Sequence, residues 1–277
     1  MIFRHYVPAA PLSHFIDLMW FGADYIVPHT LERVLPTGDM SLIINLHEDR
    51  TRIYDADDPR KYKTLNGAIV VGAYSSFNVI DTAEQRSTIG AAFRPGGAFP
   101  FFNLPAGELE DNNVSLETLW GREAASTLRE RLLAAPSPER KLEILERALL
   151  DRVVAPLDST HPAVTFAVRN FRHCPQRPIS AVTEQIGLSD RRFIQLFFSQ
   201  VGMTPKRFCR VQRFQQVLRK ITGSSGTAAA AIDWPEIALT CGYFDQSHFI
   251  HDFRAFSGIN PSTYVANKTQ FQNHVAL

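Results

Sequence analysis

Two rhythms of apolar residues divide this sequence. Up to about residue 110 the apolar runs are short and fall between clusters of Gly, Pro, Asn and Asp: Phe15 to Phe21, Val34-Leu35, Leu42 to Leu46, Ala68 to Val71, Val79-Ile80 and Thr88 to Phe93. Runs of that length between turn signals predict the strands of a β-sandwich or barrel. Pro36-Thr37-Gly38-Asp39 and Pro95-Gly96-Gly97 read as its turns. From Ser115 the spacing becomes helical. Leu116, Leu119, Trp120, Ala124 and Leu128 share one side of a segment predicted to run to Leu133. Ser137-Pro138-Glu139 opens a second, running to Arg152, with Leu142, Leu145, Leu149 and Val153 as its stripe. That stripe can pack on the barrel or pair with a second subunit, and the spacing does not separate the two.

Between Pro178 and Tyr264 one pattern occurs twice. Ile179, Val182, Thr183, Gly187, Phe193, Ile194, Phe197, Gly202, Pro205 and Phe208 are matched by Trp234, Ile237, Ala238, Gly242, Phe249, Ile250, Phe253, Gly258, Pro261 and Tyr264. The offset grows by one residue just after the second copy's glycine. Each copy reads as helix, glycine turn, helix, with the glycine supplying the backbone freedom of a tight turn. Ser189 is a good N-cap for the second helix of the first copy, and Asp233 with Glu236 has the form of a capping box at the start of the second. The aromatic side of each second helix is predicted to be buried. The opposite sides carry Arg191, Arg192 and Gln195, then Gln246, Ser247 and His251, side chains that can donate to base edges in a major groove. The plainer alternative, two helical hairpins with solvated polar faces, is weakened by the near-register duplication. Pro205 to Lys220 reads as one basic helix about 24 Å long that joins the copies, while adjacent major grooves on one face of a duplex lie roughly 34 Å apart. Lys206, Arg207, Arg210 and Arg213 on that helix are candidates to lie over phosphates, as are His248 and Arg254 in the second copy. Gly223 to Ala231 reads as a small-residue loop.

The run Ile237-Ala238, Cys241-Gly242-Tyr243-Phe244-Asp245-Gln246-Ser247-His248-Phe249, Asp252-Phe253-Arg254, Gly258, Asn260-Pro261 and Tyr264 resembles the signature of the AraC/XylS transcription regulators. Gly187-Leu188-Ser189, Arg191, Phe197, Gly202, Thr204-Pro205-Lys206 and Phe208 resemble that family's first helix-turn-helix. Thr183 stands where the family usually has alanine, and Asn260 where it often has Thr or Ser. The resemblance implies a unit that places two recognition helices in successive major grooves, with Arg191, Ile194 and Gln195 facing the first groove and Gln246, Ser247 and His251 the second. In the repeat, Ile194 is matched to Ile250, which leaves it either buried or set against a thymine methyl. Trp20, Arg33-Val34-Leu35-Pro36-Thr37-Gly38, Gly72, Phe93-Arg94-Pro95-Gly96-Gly97, Asp111 and Leu119-Trp120-Gly121-Arg122 resemble the cupin-like sensor domain of one branch of those regulators. That implies a small-molecule effector, RNA polymerase as a partner and a homodimer.

Charge sharpens the division. The net charge of +1 conceals 16 Lys and Arg against 21 Asp and Glu in residues 1–156, and 13 against 7 in residues 157–277. The basic half is the half with the repeat, the electrostatic footprint of a domain that meets phosphate. The junction falls near Pro156 to Thr160, with Thr160-His161-Pro162 opening the first helix of the second domain. The sequence has no run of eighteen apolar residues and no basic-then-apolar leader, so a cytoplasmic protein with no membrane span is expected. Cys174, Cys209 and Cys241 read as small core residues, and without a Cys-x-x-Cys pair no zinc site is expected.

An enzyme is the rival for the first half, a cupin-like catalyst fused to a DNA-binding domain. Metal-dependent cupins converge a His-x-His pair, a glutamate and another histidine on one ion. His5, His14, His29 and His47 lack that spacing, and His47-Glu48-Asp49 reads as a polar turn; neither metal, cofactor nor catalytic residue is expected. Arg33 and Arg94 beside strand ends could clamp an anionic effector by a bidentate fork, or hold a neighbouring acid such as Glu32 or Asp39. Trp20 and Tyr25 could line the effector pocket or belong to the core. The expectation is an α+β regulator: residues 1–156 a β-sandwich or cupin-like barrel with flanking helices, and residues 157–277 an all-α double helix-turn-helix that binds double-stranded DNA.

Overall fold

In a computed structural model of the chain, residues 1–153, 160–223 and 232–277 are described. Most of the expected junction near Pro156 and of the expected loop up to Ala231 lies outside them.

The six sequence-predicted strands are present, as β2 (Ile16–Ala23), β3 (Leu31–Val34), β4 (Ser41–Asn45), β7 (Ala68–Val71), β8 (Asn78–Asp81) and β9 (Ser87–Phe93). Strands β1 (Ile2–Tyr6), β5 (Thr51–Tyr54), β6 (Tyr62–Leu65) and β10 (Asn113–Ser115) join them. The main antiparallel sheet has six strands in the order β1-β2-β9-β4-β7-β10. Alternation along its strands makes two faces. Met19, Phe21, Leu42, Ile44, Val70, Ile89 and Ala91 are buried in the core on one face. Trp20, Ile43, Ile69, Val71 and Thr88, one residue out of phase, line a cavity on the other. Gly90 is needed where β2, β9 and β4 meet, because a Cβ there would come within 2.4 Å of both the Leu42 carbonyl and the Trp20 ring.

The core face is covered by helices. α1 (Phe99–Phe102) turns an aromatic run into the floor under Phe93. The expected helix from Ser115 to Leu133 is two: α2 (Leu116–Trp120) and α3 (Arg122–Ala134). Gly121, at φ +87°, is extended in a region other residues avoid, and it breaks the segment after Ser115 has capped it. α4 (Pro138–Asp151) is capped by Ser137 and buries Leu142, Leu145 and Leu149, the expected stripe, against the barrel, with Glu146 accepting from the Tyr6 hydroxyl on β1.

After Thr160, helices take over: α5 (Pro162–His173), α6 (Ile179–Ile186), α7 (Asp190–Val201), α8 (Pro205–Gly223), α9 (Trp234–Thr240), α10 (Gln246–Ser257) and α11 (Pro261–Asn267). The chain then returns to the first domain. β11 (His274–Ala276) pairs antiparallel with β3 and extends a second sheet, β11-β3-β8, across the mouth of the cavity from the main sheet; β5 and β6 form a separate ribbon. Contacts between the two halves are direct. Gln215 donates to the Pro36 carbonyl at 2.8 Å, Gln212 to the Thr37 carbonyl at 3.1 Å, and Arg172 pairs with Asp39 at 3.3 Å. Burial pushes the Asp39 carboxyl up to about 6, against the pull of Arg172. Among the described residues no helix is long and apolar enough to cross a membrane.

Candidate nucleic-acid interface

The first helix-turn-helix is α6 and α7. Gly187, at φ +73°, makes the turn, and the Ser189 hydroxyl accepts from the Arg192 amide to cap α7. Phe193 and Phe197 anchor the inner side of α7, the latter edge-on to Phe171 of α5 and Phe208 of α8. Thr183, the departure from alanine, is buried and returns its hydroxyl to the Ser180 carbonyl at 3.0 Å, which satisfies it within the helix. The outer side of α7 leaves Arg191, Arg192, Ile194 and Gln195 exposed. Ile194 is 41% exposed, so it stands on the outer face of α7 and does not share the burial of Phe193.

The second is α9 and α10, built alike. Asp233 caps α9 through the Glu236 amide, Gly242 turns at φ +77°, and Asp245 caps α10 by accepting from the His248 amide at 2.7 Å. Trp234 stacks on Phe249, and Phe249 and Phe253 fill the inner side. Gln246, Ser247, His248, His251 and Arg254 are exposed, and Ser247, His251 and Arg254 border one shallow depression with Ile250 and Ala255. All six residues expected to read bases therefore lie on exposed faces of α7 and α10.

The expected phosphate contacts divide. Lys206, His248 and Arg254 are exposed. Arg207 is held by the first domain, 2.6 Å from Glu110 and 3.5 Å from Asp111. Arg210 is engaged too: its guanidinium reaches the buried Asp252 of α10 at 2.7 Å and lies over the Phe256 ring. Its charge is spent locking α10 to α8. Arg213, over the Tyr243 ring, donates to the Gly242 carbonyl and pins the second turn. α8 itself runs three residues past the expected end at Lys220, to Gly223, about 28 Å in all. Cys209 and Cys241 are buried, as read from the sequence, and burial pushes the Cys209 thiol up to about 12. Cys174 is exposed, because it caps the end of α5 and lies outside the helix's apolar face.

The barrel holds the other candidate site, a cavity of about 250 Å³. Trp20 and Tyr25 line it; Arg33 and Arg94 do not. Arg94 is occupied by Asp17 at 3.0 Å and the Ser13 carbonyl at 2.9 Å. Arg33 lies over Phe77, and burial lowers its pKa. Arg33 alternates with the cavity-lining Val34 on β3, and Arg94 lies past the end of β9, where Ser13 and Asp17 hold it, placements that a neighbouring Pro-Gly turn does not reveal. The cation at the cavity wall is instead Arg52, bound to Glu84 at 2.8 Å and Asp81 at 3.0 Å, with Tyr54 donating to Asp81. Phe271 and His274, from beyond α11, complete the lining. His274 meets the fully buried Glu32 at 2.7 Å, and His29 and the Tyr25 hydroxyl bond the same carboxylate. Burial pushes Glu32 up, but the three donors outweigh it and hold the carboxyl at about 2. Nothing in the spacing of His29, Glu32 and His274 announces this cluster, since its members are brought together by β11. The His47-Glu48 segment is a polar turn on Asn45, and among the described residues no group of His, Cys, Asp and Glu is arranged to hold a metal.

Residues 182–267 match the family model described as a helix-turn-helix domain, and residues 4–115 match a domain of unknown function (DUF6597). No curated protein matches the chain. Among solved structures, ToxT from Vibrio cholerae bound to a methylnaphthalenyl butenoic acid is 10% identical, covering 95% of this chain and 98% of that one at a TM-score of 0.47. ToxT bound to an unsaturated fatty acid is 8% identical, covering 89% and 94% at 0.46. With its paired turns, its capped second helices and the matched family model, the stretch 182–267 is a helix-turn-helix domain, the unit through which a transcription regulator binds DNA.

Proposed function

We propose that this regulator reads DNA through α7 and α10 together, placed in adjacent major grooves, and that a small molecule in the barrel cavity modulates it. Arg191, Arg192 and Gln195 meet base edges in one groove, and Gln246, Ser247 and His251 in the next. Lys206, His248 and Arg254 hold phosphates, and Arg207 joins them when it leaves Glu110. The observation that carries the reading is that one helix, α8, packs against both motifs while all six candidate base-reading side chains stay exposed. Base contacts supply choice at roughly 1–3 kcal/mol each, and phosphate contacts supply affinity that falls with salt.

Selection of random duplexes by the full chain at about 150 mM salt, where non-specific binding is weak, tests it. Two short preferred blocks one helical turn apart are expected. Gln195→Ala should relax one block and His251→Ala the other, each leaving its neighbour intact. Equal loss at both blocks from either substitution would sink the assignment of one groove to each helix.

A further inference from the structure

The cavity in the barrel states the chemistry of what it holds. Its volume, about 250 Å³, exceeds the roughly 150 Å³ of an engineered protein cavity that takes benzene, and suits a bicyclic ring system. Its wall is predominantly apolar, with the Phe3, Trp20 and Phe271 rings beside Ile43, Ile69 and Val71.

Charge at that wall is already spent. Arg52 is bonded to both Asp81 and Glu84, and Tyr54 adds its hydroxyl to Asp81. Glu84 accepts from the Arg52 amide and side chain, so neither of its oxygens is free. Glu32, behind Tyr25 and His274, holds three donors. An anionic ligand would meet carboxylates and find Arg52 engaged. A cationic one would find each nearby carboxylate satisfied and would lose its hydration without a new partner.

One neutral side chain at the wall is left unsatisfied. Asn113 on β10 lines the cavity and is 7% exposed, yet its side-chain carbonyl is buried with no hydrogen-bond partner, and among the described residues nothing bonds its amide nitrogen. A buried amide carbonyl left unpaired costs free energy that a partner inside the cavity recovers. Turning the amide over presents either its donor or its acceptor, so it suits a hydroxyl, a carbonyl or another amide.

We infer that the barrel binds an uncharged, largely apolar molecule of bicyclic size carrying one hydroxyl, carbonyl or amide group, anchored by Asn113. This rests on the effector-cavity reading above and names its ligand class. Calorimetric titration of the full chain with 2-naphthol, 2-naphthamide, 2-naphthoate and 2-naphthylmethylammonium tests it, alongside Asn113→Leu and the cavity-filling Ile43→Trp. At least one neutral probe should bind ten times more tightly than either charged one. Asn113→Leu should weaken that probe about tenfold while leaving the binding of plain naphthalene unchanged, and Ile43→Trp should abolish all binding. A charged probe binding as tightly as the neutral ones, a neutral probe indifferent to Asn113→Leu, or no binding of either neutral probe would overturn the ligand class. Binding of any probe that survives Ile43→Trp would overturn the cavity reading itself.

Discussion

The two helix-turn-helix motifs share a plan and differ in what holds them. The first is wedged against the barrel. The turn Ala106–Leu109 packs on α7 so closely that a Cβ at Gly107 would meet the Phe198 ring at 2.4 Å, and Arg207 is tied to Glu110 and Asp111. The second is fixed mainly from within its own domain, by the Arg210–Asp252 pair and by Arg213 on its turn. At the position of Asp252 the first copy has Leu196, and its hold on α8 is the Phe197–Phe208 contact. Towards α8 the second copy adds an ion pair to aromatic packing of Phe214 on Phe253, where the first has packing, and a duplicated motif need not be stabilised twice in the same way.

The comparison breaks most readily at Asp252. Asp252→Ala leaves the Arg210 guanidinium half-buried and unpaired, and should cost about 2–3 kcal/mol. In urea unfolding this appears as a lower midpoint, and hydrogen exchange should quicken in α9 and α10 before α6 and α7. Uniform exchange across both copies would mean that they unfold as one unit.

A smaller effect comes from the turn glycines. Both have positive φ, so alanine is strained at either, by about 1 kcal/mol or somewhat more. A Cβ at Gly187 meets nothing within 4 Å, whereas one at Gly242 lies 2.0 Å from Cγ of Gln176. Gly242→Ala should therefore cost about 2 kcal/mol or more and Gly187→Ala about 1, measured as the difference in unfolding free energy. Equal losses would show that Gln176 moves aside freely.

The smallest and most informative effect concerns Arg207. Glu110→Gln with Asp111→Asn releases its guanidinium, and the slope of log affinity for non-specific duplex against log salt should steepen by about 0.9. Adding Arg207→Ala should remove the gain. A slope that does not change would mean that Arg207 never reaches a phosphate.

These differences were unevenly legible in the sequence. The glycine turns and the caps at Ser189, Ser137 and Asp233 could be read because each is a local rule, decided within four residues, and the repeat because its two copies keep the same spacing. The faces of α7 and α10 followed from helical spacing once Phe193 and Phe249 were placed inward. Arg207, Arg210 and Arg94 were harder. An arginine on a basic helix looks the same whether it faces phosphate or a carboxylate forty or a hundred residues away, and its partner is settled only by tertiary packing. Gly121 marked a break that the apolar stripe around it obscured. The cavity was half legible: Trp20 and Tyr25 belong to it, but Arg33 faces away from it and Arg94 lies past the end of its strand, and part of its wall comes from beyond α11.

That last wall reorders the molecule. β11 follows the DNA-binding helices in sequence yet is a strand of the barrel's second sheet, with Phe271 and His274 at the cavity and the Gln272 carbonyl accepting from Tyr264 at 2.7 Å. Topologically the DNA-binding domain is an insertion: the chain leaves the barrel after α4, builds the two motifs, and comes back to finish the barrel. A chimeric regulator made by exchanging everything after the junction would take a strand and two cavity residues away with the reader. To graft this barrel onto another DNA-binding domain, residues 268–277 must stay with the barrel.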